Sequence, residues 1–162
     1  MRSMDFLLFF TYMAACGAAA TTGAVFSPGE WYKGLSKPWW TPKDWMFPVA
    51  WMIMYVCMSW AAMRIAQLAG SDARVGQALA LWSVQIALNT LWTPIFFGLK
   101  RIGGGLIVIT LLWLAVAATT VAFFQIDWVA GALFAPYLLW VSVAGALNRS
   151  VWVLNPRLAV AG

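Results

Sequence analysis

The sequence contains no histidine and little charge, since only 9% of its 162 residues are Asp, Glu, Lys or Arg. Without histidine the chain cannot build His-ligated haem or zinc sites, or nucleophiles activated by a histidine base. None of the five acidic residues falls in the middle of an apolar run, where a coupled transporter usually keeps a carboxylate. Conventional acid–base catalysis, metal sites, bound cofactors and ion pumping are therefore not expected.

Hydrophobic residues make up 64% of the chain, far too many for a water-soluble surface. They are concentrated in five runs, at about 5–26, 46–69, 76–97, 104–125 and 128–148. A helical run of this length, at about 1.5 Å per residue, crosses a hydrocarbon core of about 30 Å. The runs are continuously apolar, which favours helices over the alternating strands of a barrel. The sequence predicts an all-α membrane protein, a bundle of five transmembrane helices forming one domain over 1–162.

The first run and the two cysteines each allow two interpretations. Small residues at 14–20 imitate the cleavage site of a leader, but the length of the run and the early Asp5 favour a retained helix. Cys16 and Cys57 both fall inside predicted helices. We interpret them as small buried residues rather than as a disulfide.

The distribution of Lys and Arg predicts an orientation. One side of the bundle carries Arg2, Arg64 and Arg74, and the other carries Lys33, Lys37, Lys43, Lys100, Arg101, Arg149 and Arg157. By the positive-inside rule, the long first loop and the C-terminus are expected in the cytoplasm and the N-terminus outside it. This topology and anionic lipid headgroups account for the net charge of +5, so we expect a bilayer as partner and no nucleic acid.

Aromatic residues make up 16% of the chain, with twelve Trp. A Trp near a helix end is usually an interfacial anchor, which is our interpretation of Trp128 and Trp152. The loop at 27–45 differs, because it holds five aromatic residues and two central prolines: Trp31, Tyr32, Trp39, Trp40, Trp45, Pro38 and Pro42. Prolines restrict the backbone, so we expect this loop to form a lid on the bundle. The alternative is that it lies in the headgroup layer.

Three predicted helices carry aromatic and polar residues at helical spacing. The third has Gln85, Asn89, Trp92 and Phe96; the fifth has Tyr137, Trp140, Ala144 and Asn148; the second has Trp51, Tyr55 and Met58. Amides are costly in hydrocarbon unless they are hydrogen-bonded, so these faces should point inward, although a structural bond between helices would explain the amides equally well. Together they predict an aromatic-walled cavity that suits a flat, apolar ligand.

Stripes of small residues occur on two predicted helices, Ala15/Ala19/Gly23 on the first and Gly76/Ala80 on the third. Small residues let helix backbones approach closely in a membrane. We expect close packing at both stripes, and dimerisation is one use of the second.

The motifs also resemble a known family. The matching stretches are Trp31-Tyr32-x-x-Leu35-x-Lys37-Pro38-x-Trp40-x-Pro42-x-x-Trp45-x-Phe47-Pro48, Trp51-x-x-x-Tyr55, Ala87-Leu88-Asn89-x-x-Trp92-x-Pro94-x-Phe96-Phe97-Gly98, and Pro136-Tyr137-Leu138-x-Trp140 followed by Leu147-Asn148. In this order they are similar to the TspO/MBR family, which comprises the tryptophan-rich sensory proteins of bacteria and the mitochondrial translocator protein.

The resemblance implies a five-helix bundle, commonly a homodimer, that binds porphyrins and related tetrapyrroles, benzodiazepine-type ligands and, in some members, sterols. Carried over, the ligand-binding residues would be Trp51, Tyr55, Asn89, Trp92, Trp140, Ala144 and Leu147, with Tyr32, Trp39 and Trp40 closing the pocket from the loop. Arg149 stands where the sterol pattern of the family has a tyrosine, which weakens the case for sterol binding.

Three functions remain open on this basis. The first is a receptor or sensor that regulates the handling of tetrapyrroles. The second is a light-dependent enzyme that degrades porphyrin, for which the resemblance implicates Trp51 and Trp140. The third is a transporter of porphyrins or sterols. Five spans do not divide into equal inverted halves, so alternating access of the common kind is disfavoured.

Overall fold

A computed structural model describes residues 3–160 of the chain. Within that range the elements follow in the order α1 (Ser3–Val25), α2 (Glu30–Lys33), α3 (Met46–Ala66), α4 (Val75–Thr93), a π-helical turn (Pro94–Gly98), α5 (Ile102–Ile126), α6 (Trp128–Leu154) and α7 (Pro156–Val160). Five of these helices, α1, α3, α4, α5 and α6, are long and apolar enough to cross a membrane, which confirms the predicted class of fold. Arg2, used for the predicted orientation, lies outside the described residues.

Several helix ends differ from the predicted spans. The last span was expected to end at 148, but α6 continues to Leu154. Asn148 lies inside this helix, where its side chain is buried and its Nδ2 donates to the carbonyl oxygen of Ile102, 3.1 Å away. The second span was expected to reach 69, but α3 ends at Ala66. A turn follows that includes Gly70, whose φ of 89° is accessible mainly to glycine.

Asp127 follows the fourth span and Pro94 ends the third, and each shapes the connection to the element that comes next. Asp127 caps the start of α6, accepting hydrogen bonds from the backbone N–H groups of Val129 at 2.8 Å and Ala130 at 3.2 Å. Pro94 has no N–H and so interrupts the hydrogen-bond pattern of α4. The π-helical turn begins at this proline and closes with a bond from the N–H of Leu99 to the carbonyl of Pro94, at 2.8 Å.

In the bundle, α5 packs against α4 and α6, whereas α1 packs against α3 and α4, and α3 also contacts α6. The core between them contains fully buried side chains such as Met58, Phe123 and Phe134. Cys16 is buried and Cys57 is half-buried, and both are free thiols, in agreement with their interpretation as packing residues.

The two ends of the bundle are built differently, and we name them by that difference. At the ion-pair end, where α3 and α5 finish and α4 and α6 begin, Arg64 lies 2.7 Å from Asp127 and Arg74 lies 2.6 Å from Asp72. The Gln67 amide there donates to the Asp5 carboxylate at 2.7 Å. The opposite end, which carries residues 27–45 between α1 and α3, is called the loop end.

Charge pairing at the ion-pair end shifts the titration of its carboxyls. Burial would raise the pKa of Asp127, but hydrogen bonds from the backbone of Ala130, from Arg64 and from the backbone of Val129 outweigh burial, and the pKa is lowered. The hydrogen bonds of Arg74 lower the pKa of Asp72 to about 2. Both carboxylates are therefore stabilised in their charged form.

Candidate ligand-binding cavity

A cavity of about 650 Å³ occupies the loop end of the bundle. Its walls come from α1, α3, α4, α5 and α6, and residues of the first loop close part of its top. The lining residues are Ala19, Ala20, Gly23, Ala24, Pro28, Tyr32, Asp44, Phe47, Pro48, Trp51, Met52, Tyr55, Asn89, Trp92, Thr93, Phe96, Phe97, Ile109, Leu112, Val141, Ala144, Leu147 and Val151. The volume falls in the range of small-molecule sites, roughly 300–1,000 Å³.

The first aromatic wall lies on α3, where Phe47, Trp51 and Tyr55 follow one another at intervals of four residues. This spacing places them on one face of the helix. The rings of Trp51 and Tyr55 are stacked, with centroids 5.6 Å apart and planes inclined by 27°. The edge of Trp51 also meets the buried ring of Tyr137, at 6.0 Å. The wall therefore presents flat π surface to the cavity.

A second wall lies where α4 passes into the π-helical turn. Trp92 and Phe96 are stacked, with centroids 5.1 Å apart and planes inclined by 16°. Phe97 meets Trp92 edge to face at 5.6 Å. Because the turn begins at Pro94, it holds three rings close together at the end of the helix.

The polar groups at the cavity form a small hydrogen-bonded cluster. Asn89 donates from Nδ2 to the hydroxyl of Tyr137 at 2.7 Å and accepts from the hydroxyl of Tyr55 at 3.4 Å. Trp92 Nε1 donates to Asn148 Oδ1 at 3.2 Å. Asn89 thus lines the cavity and also joins three helices. Both interpretations from the sequence, a cavity residue and a structural bond between helices, therefore apply to it.

The first loop has two halves that behave differently. Its first half is docked, because Leu35 is buried against Phe96, Leu147 and Val151, and Tyr32 packs edge to face on Phe97 at 5.3 Å. The second half is open: the side chain of Trp39 is 96% exposed and that of Trp40 is 36% exposed.

Of the ten residues named from the sequence, the structure brings seven to the cavity wall: Tyr32, Trp51, Tyr55, Asn89, Trp92, Ala144 and Leu147. It does not bring Trp39 or Trp40 there, and both are exposed. Trp140 also lies off the wall. Its ring meets that of the lining residue Phe47 edge to face, with centroids 5.7 Å apart.

Two other expectations from the sequence differ from the structure. Gln85 is completely buried, but within the described part of the chain neither polar atom of its amide has a hydrogen-bond partner. The stripe Ala15/Ala19/Gly23 was expected to pack closely against another helix. It does so only in part: Ala19 is buried in the core and Ala15 packs against it, but Ala19 and Gly23 also line the cavity, and a Cβ added at Gly23 would meet no atom within 4 Å.

Some lining residues were not singled out from the sequence, among them Phe47, Asp44 and Met52. Phe47 had a visible signal, since it precedes Trp51 and Tyr55 at the same helical spacing. The exposed lining residues Ala20, Ala24, Pro48 and Met52 lie on α1 and α3. The cavity therefore reaches the surface of the bundle between these two helices.

The chemistry of the lining is almost entirely apolar and aromatic. Among the described residues there is no group of three His, Cys, Asp or Glu placed to hold a metal ion. The arrangement can bind a flat, apolar molecule between rings and orient it through the Asn89 cluster.

Five apolar spans with an aromatic cavity between them define a multi-pass helical membrane protein with an internal ligand-sized site. The chain belongs to the TspO/MBR family, whose pattern it matches over residues 9–153.

Three relatives illustrate the range of the family. The chain is 56% identical to Protein CrtK of Rhodobacter capsulatus over 153 residues, which is 94% of this chain and 96% of the relative. It is 58% identical to the Tryptophan-rich sensory protein of Cereibacter sphaeroides over 117 residues, 72% of each chain. It is 38% identical to the Translocator protein of Homo sapiens over 104 residues, 62% of each.

Proposed function

We propose that the chain is a membrane receptor that binds porphyrins and related tetrapyrroles in the cavity at the loop end, and that it regulates how these pigments are handled. The observation that carries this proposal is the pair of stacked ring walls, Trp51 with Tyr55 and Trp92 with Phe96, which border one apolar space. Flat aromatic molecules gain most from such walls. Benzodiazepine-type ligands, which are also aromatic and apolar, suit the same space.

Membership of the TspO/MBR family supports a sensing role, because one relative carries the name Tryptophan-rich sensory protein. A receptor needs a bound state that differs from the free state. The docked half of the loop, which contacts both the cavity and α6 through Tyr32 and Leu35, is the element we expect to respond.

Titration of the detergent-solubilised protein with protoporphyrin tests the proposal. We expect saturable changes in porphyrin absorbance, and Trp51→Phe or Trp92→Phe should weaken binding about three- to tenfold, since one aromatic pair contributes about 0.5–1.5 kcal/mol. Trp39→Phe is the matched control, because Trp39 was named from the sequence but lies exposed. Equal porphyrin affinity in the wild type, Trp51→Phe and Trp92→Phe would show that porphyrin does not bind in this cavity.

Light-dependent degradation of porphyrin is a second candidate, favoured by the position of Trp51. This indole lines the cavity and touches two phenols, Tyr55 at 5.6 Å and Tyr137 at 6.0 Å between centroids. Indole and phenol rings are oxidisable, as is the thioether of Met52, which also lines the cavity. Illumination under oxygen should then convert bound porphyrin to a new absorbing species in the wild type but not in Trp51→Phe. The same rate of porphyrin loss without protein would exclude catalysis. Trp140, which does not line the cavity, should matter less.

We further infer that the protein is one domain and forms a homodimer through α4. The outer face of this helix presents small exposed residues, Gly76, Ala80, Ser83 and Ala87, which favour close helix contact. Ala80→Phe should convert dimers to monomers in light scattering.

We infer also that the loop end faces the cytoplasm, as the excess of Lys and Arg there suggests. The orientation is tested in intact cells by treating the Lys43→Cys variant with a membrane-impermeant probe that reacts with cysteine. Labelling at position 43 would show that the loop end faces outward and would contradict this inference.

A further inference from the structure

Asp44 differs from the rest of the cavity lining. It lies just before α3, next to Phe47 and Tyr32 on the lining. Among the lining residues that the structure describes, it is the only one with a carboxyl, amino or guanidinium group on its side chain. The cavity is thus an apolar space with a single fixed negative charge, and because Asp44 is exposed, that charge lies at the mouth.

The carboxylate of Asp44 is not neutralised by a neighbouring cation. Over residues 3–160 no ion pair and no side-chain hydrogen bond involves it, whereas Glu30 in the same loop is paired with Lys33 at 2.7 Å. The Lys37 ammonium, which lies 4.5 Å from the centre of the Tyr32 ring, donates to the carbonyl oxygens of Tyr32, Leu35 and Lys33 at 2.7, 3.3 and 3.4 Å. These hydrogen bonds hold the Lys37 ammonium against the loop, where it forms no ion pair with Asp44.

The field of Asp44 reaches the cavity wall. Burial raises the pKa of the Tyr32 hydroxyl, and the negative charge of Asp44 raises it further. A charge beside an apolar wall acts over a longer distance than the same charge in bulk water, because less solvent screens it. Lys43, which immediately precedes Asp44, is exposed and does not line the cavity, so it offsets this field only from the solvent side.

We propose that Asp44 makes the cavity select ligands by charge, so that a flat apolar ligand binds best when its polar edge at the mouth is neutral or cationic and less well when that edge is a carboxylate. The inference rests on the proposed function. For tetrapyrroles it names the preferred class, which is pigments whose carboxyl groups are esterified or otherwise neutralised rather than the free dicarboxylic acids. Opposition between like charges is the physical basis of this preference.

The test compares protoporphyrin with its dimethyl ester, which has the same ring but no carboxylates, in the wild type and in Asp44→Asn at neutral pH and low ionic strength. Asp44→Asn should tighten binding of the free acid about three- to tenfold, an effect that salt should reduce. The ester should bind both proteins with affinities within about twofold of each other. The ratio of the two changes cancels differences in how the ligands partition into detergent.

Glu30→Gln is the matched control, because it removes the same charge from the same loop at a side chain that is 88% exposed and does not line the cavity. It should leave both affinities unchanged. Equal changes for acid and ester in Asp44→Asn, or an equal effect of Glu30→Gln, would overturn charge selection by Asp44 while leaving porphyrin binding intact. If neither porphyrin binds the wild type saturably, the proposed function fails, and this inference fails with it.

Discussion

The two ends of the bundle differ in how their side chains are packed. At the ion-pair end, side chains such as Phe123, Phe134 and Ile65 are completely buried, and charged residues tie neighbouring helices together. At the loop end, large rings such as Trp51 and Trp92 are only half-buried and border an open space. The comparison teaches that rings at the ion-pair end fill the space between helices, whereas some rings at the loop end leave apolar surface facing the cavity.

This division has a physical cost and a physical reason. Rings that face a cavity lack the contacts that a filled core would give them, so the loop end contributes less stability than its aromatic content suggests. A preformed cavity binds a ligand without first reorganising the bundle. Fixing the helices firmly at the ion-pair end, through pairs such as Arg64–Asp127, allows the other end to remain open.

The largest expected effect separates stability from binding by truncating one ring at each end. Phe134→Ala should reduce the free energy of unfolding by about 3–5 kcal/mol, because its ring is fully buried. Phe47→Ala should cost less than half as much, because Phe47 is half-buried at the cavity, yet it should weaken porphyrin binding. Thermal unfolding in detergent and porphyrin titration measure the two effects. Equal losses of stability would contradict the comparison.

A smaller effect is expected at the start of α6. Asp127→Ala removes both the helix cap and the pair with Arg64 and should cost about 2–3 kcal/mol, whereas Asp127→Asn keeps a capping side chain and should cost about 1 kcal/mol. The measurement is the free energy of unfolding. If both variants unfold alike, the cap contributes nothing separate from the charge.

The same residue gives the ion-pair end a dependence on pH. Because the folded pKa of Asp127 is lowered from 3.8, the stability it contributes is present above the unfolded pKa and is lost as pH falls through the folded value. Melting temperatures of the wild type should therefore fall below about pH 4, and those of Asp127→Asn should fall less. Asp72, whose pKa is also lowered, remains in both proteins and is common to the two curves. Parallel curves would count against this role.

The smallest expected effect uses two glycines of α1 that are alike except for their position. A Cβ added at Gly23 or at Gly17 would meet no atom within 4 Å, so both accept a side chain, but only Gly23 lines the cavity. Gly23→Leu should weaken porphyrin binding about fivefold by filling ligand space, a loss of roughly 1 kcal/mol. Gly17→Leu should leave binding unchanged, while both gain similar helix propensity. Equal affinities in titrations would show that ligand does not use this side of the cavity.

Hydropathy predicted the five spans because transmembrane helices must be apolar over a fixed length. Helical spacing also brought Asn89, Trp92 and Tyr55 to one site, since residues four apart share a face. The helical spacing of residues did not predict which face of α6 is turned toward the cavity. Its cavity face carries Val141, Ala144, Leu147 and Val151 rather than Trp140, because rotation is set by contacts with other helices, such as the bond from Asn148 to Ile102.

Features that depend on distant parts of the chain were beyond prediction for the same reason. Whether Trp39 meets the bundle is decided by the backbone path after Pro38, which no local pattern encodes. Asp44 lacked a signal because an acid at a helix start is ordinary in sequence. It becomes notable only when the cavity beside it is known.

Asn155, just after α6, holds the first loop through two hydrogen bonds. The Asn155 side chain accepts from the backbone N–H of Ser36 at 3.0 Å and donates to the carbonyl of Ser36 at 2.9 Å, although 119 residues separate them. An affinity tag fused just after the bundle, or trimming back to Leu154, would therefore disturb a contact that holds the docked half of the first loop beside the cavity. Preparations of this protein that differ only in their C-terminal extension should not be assumed to be interchangeable in ligand assays.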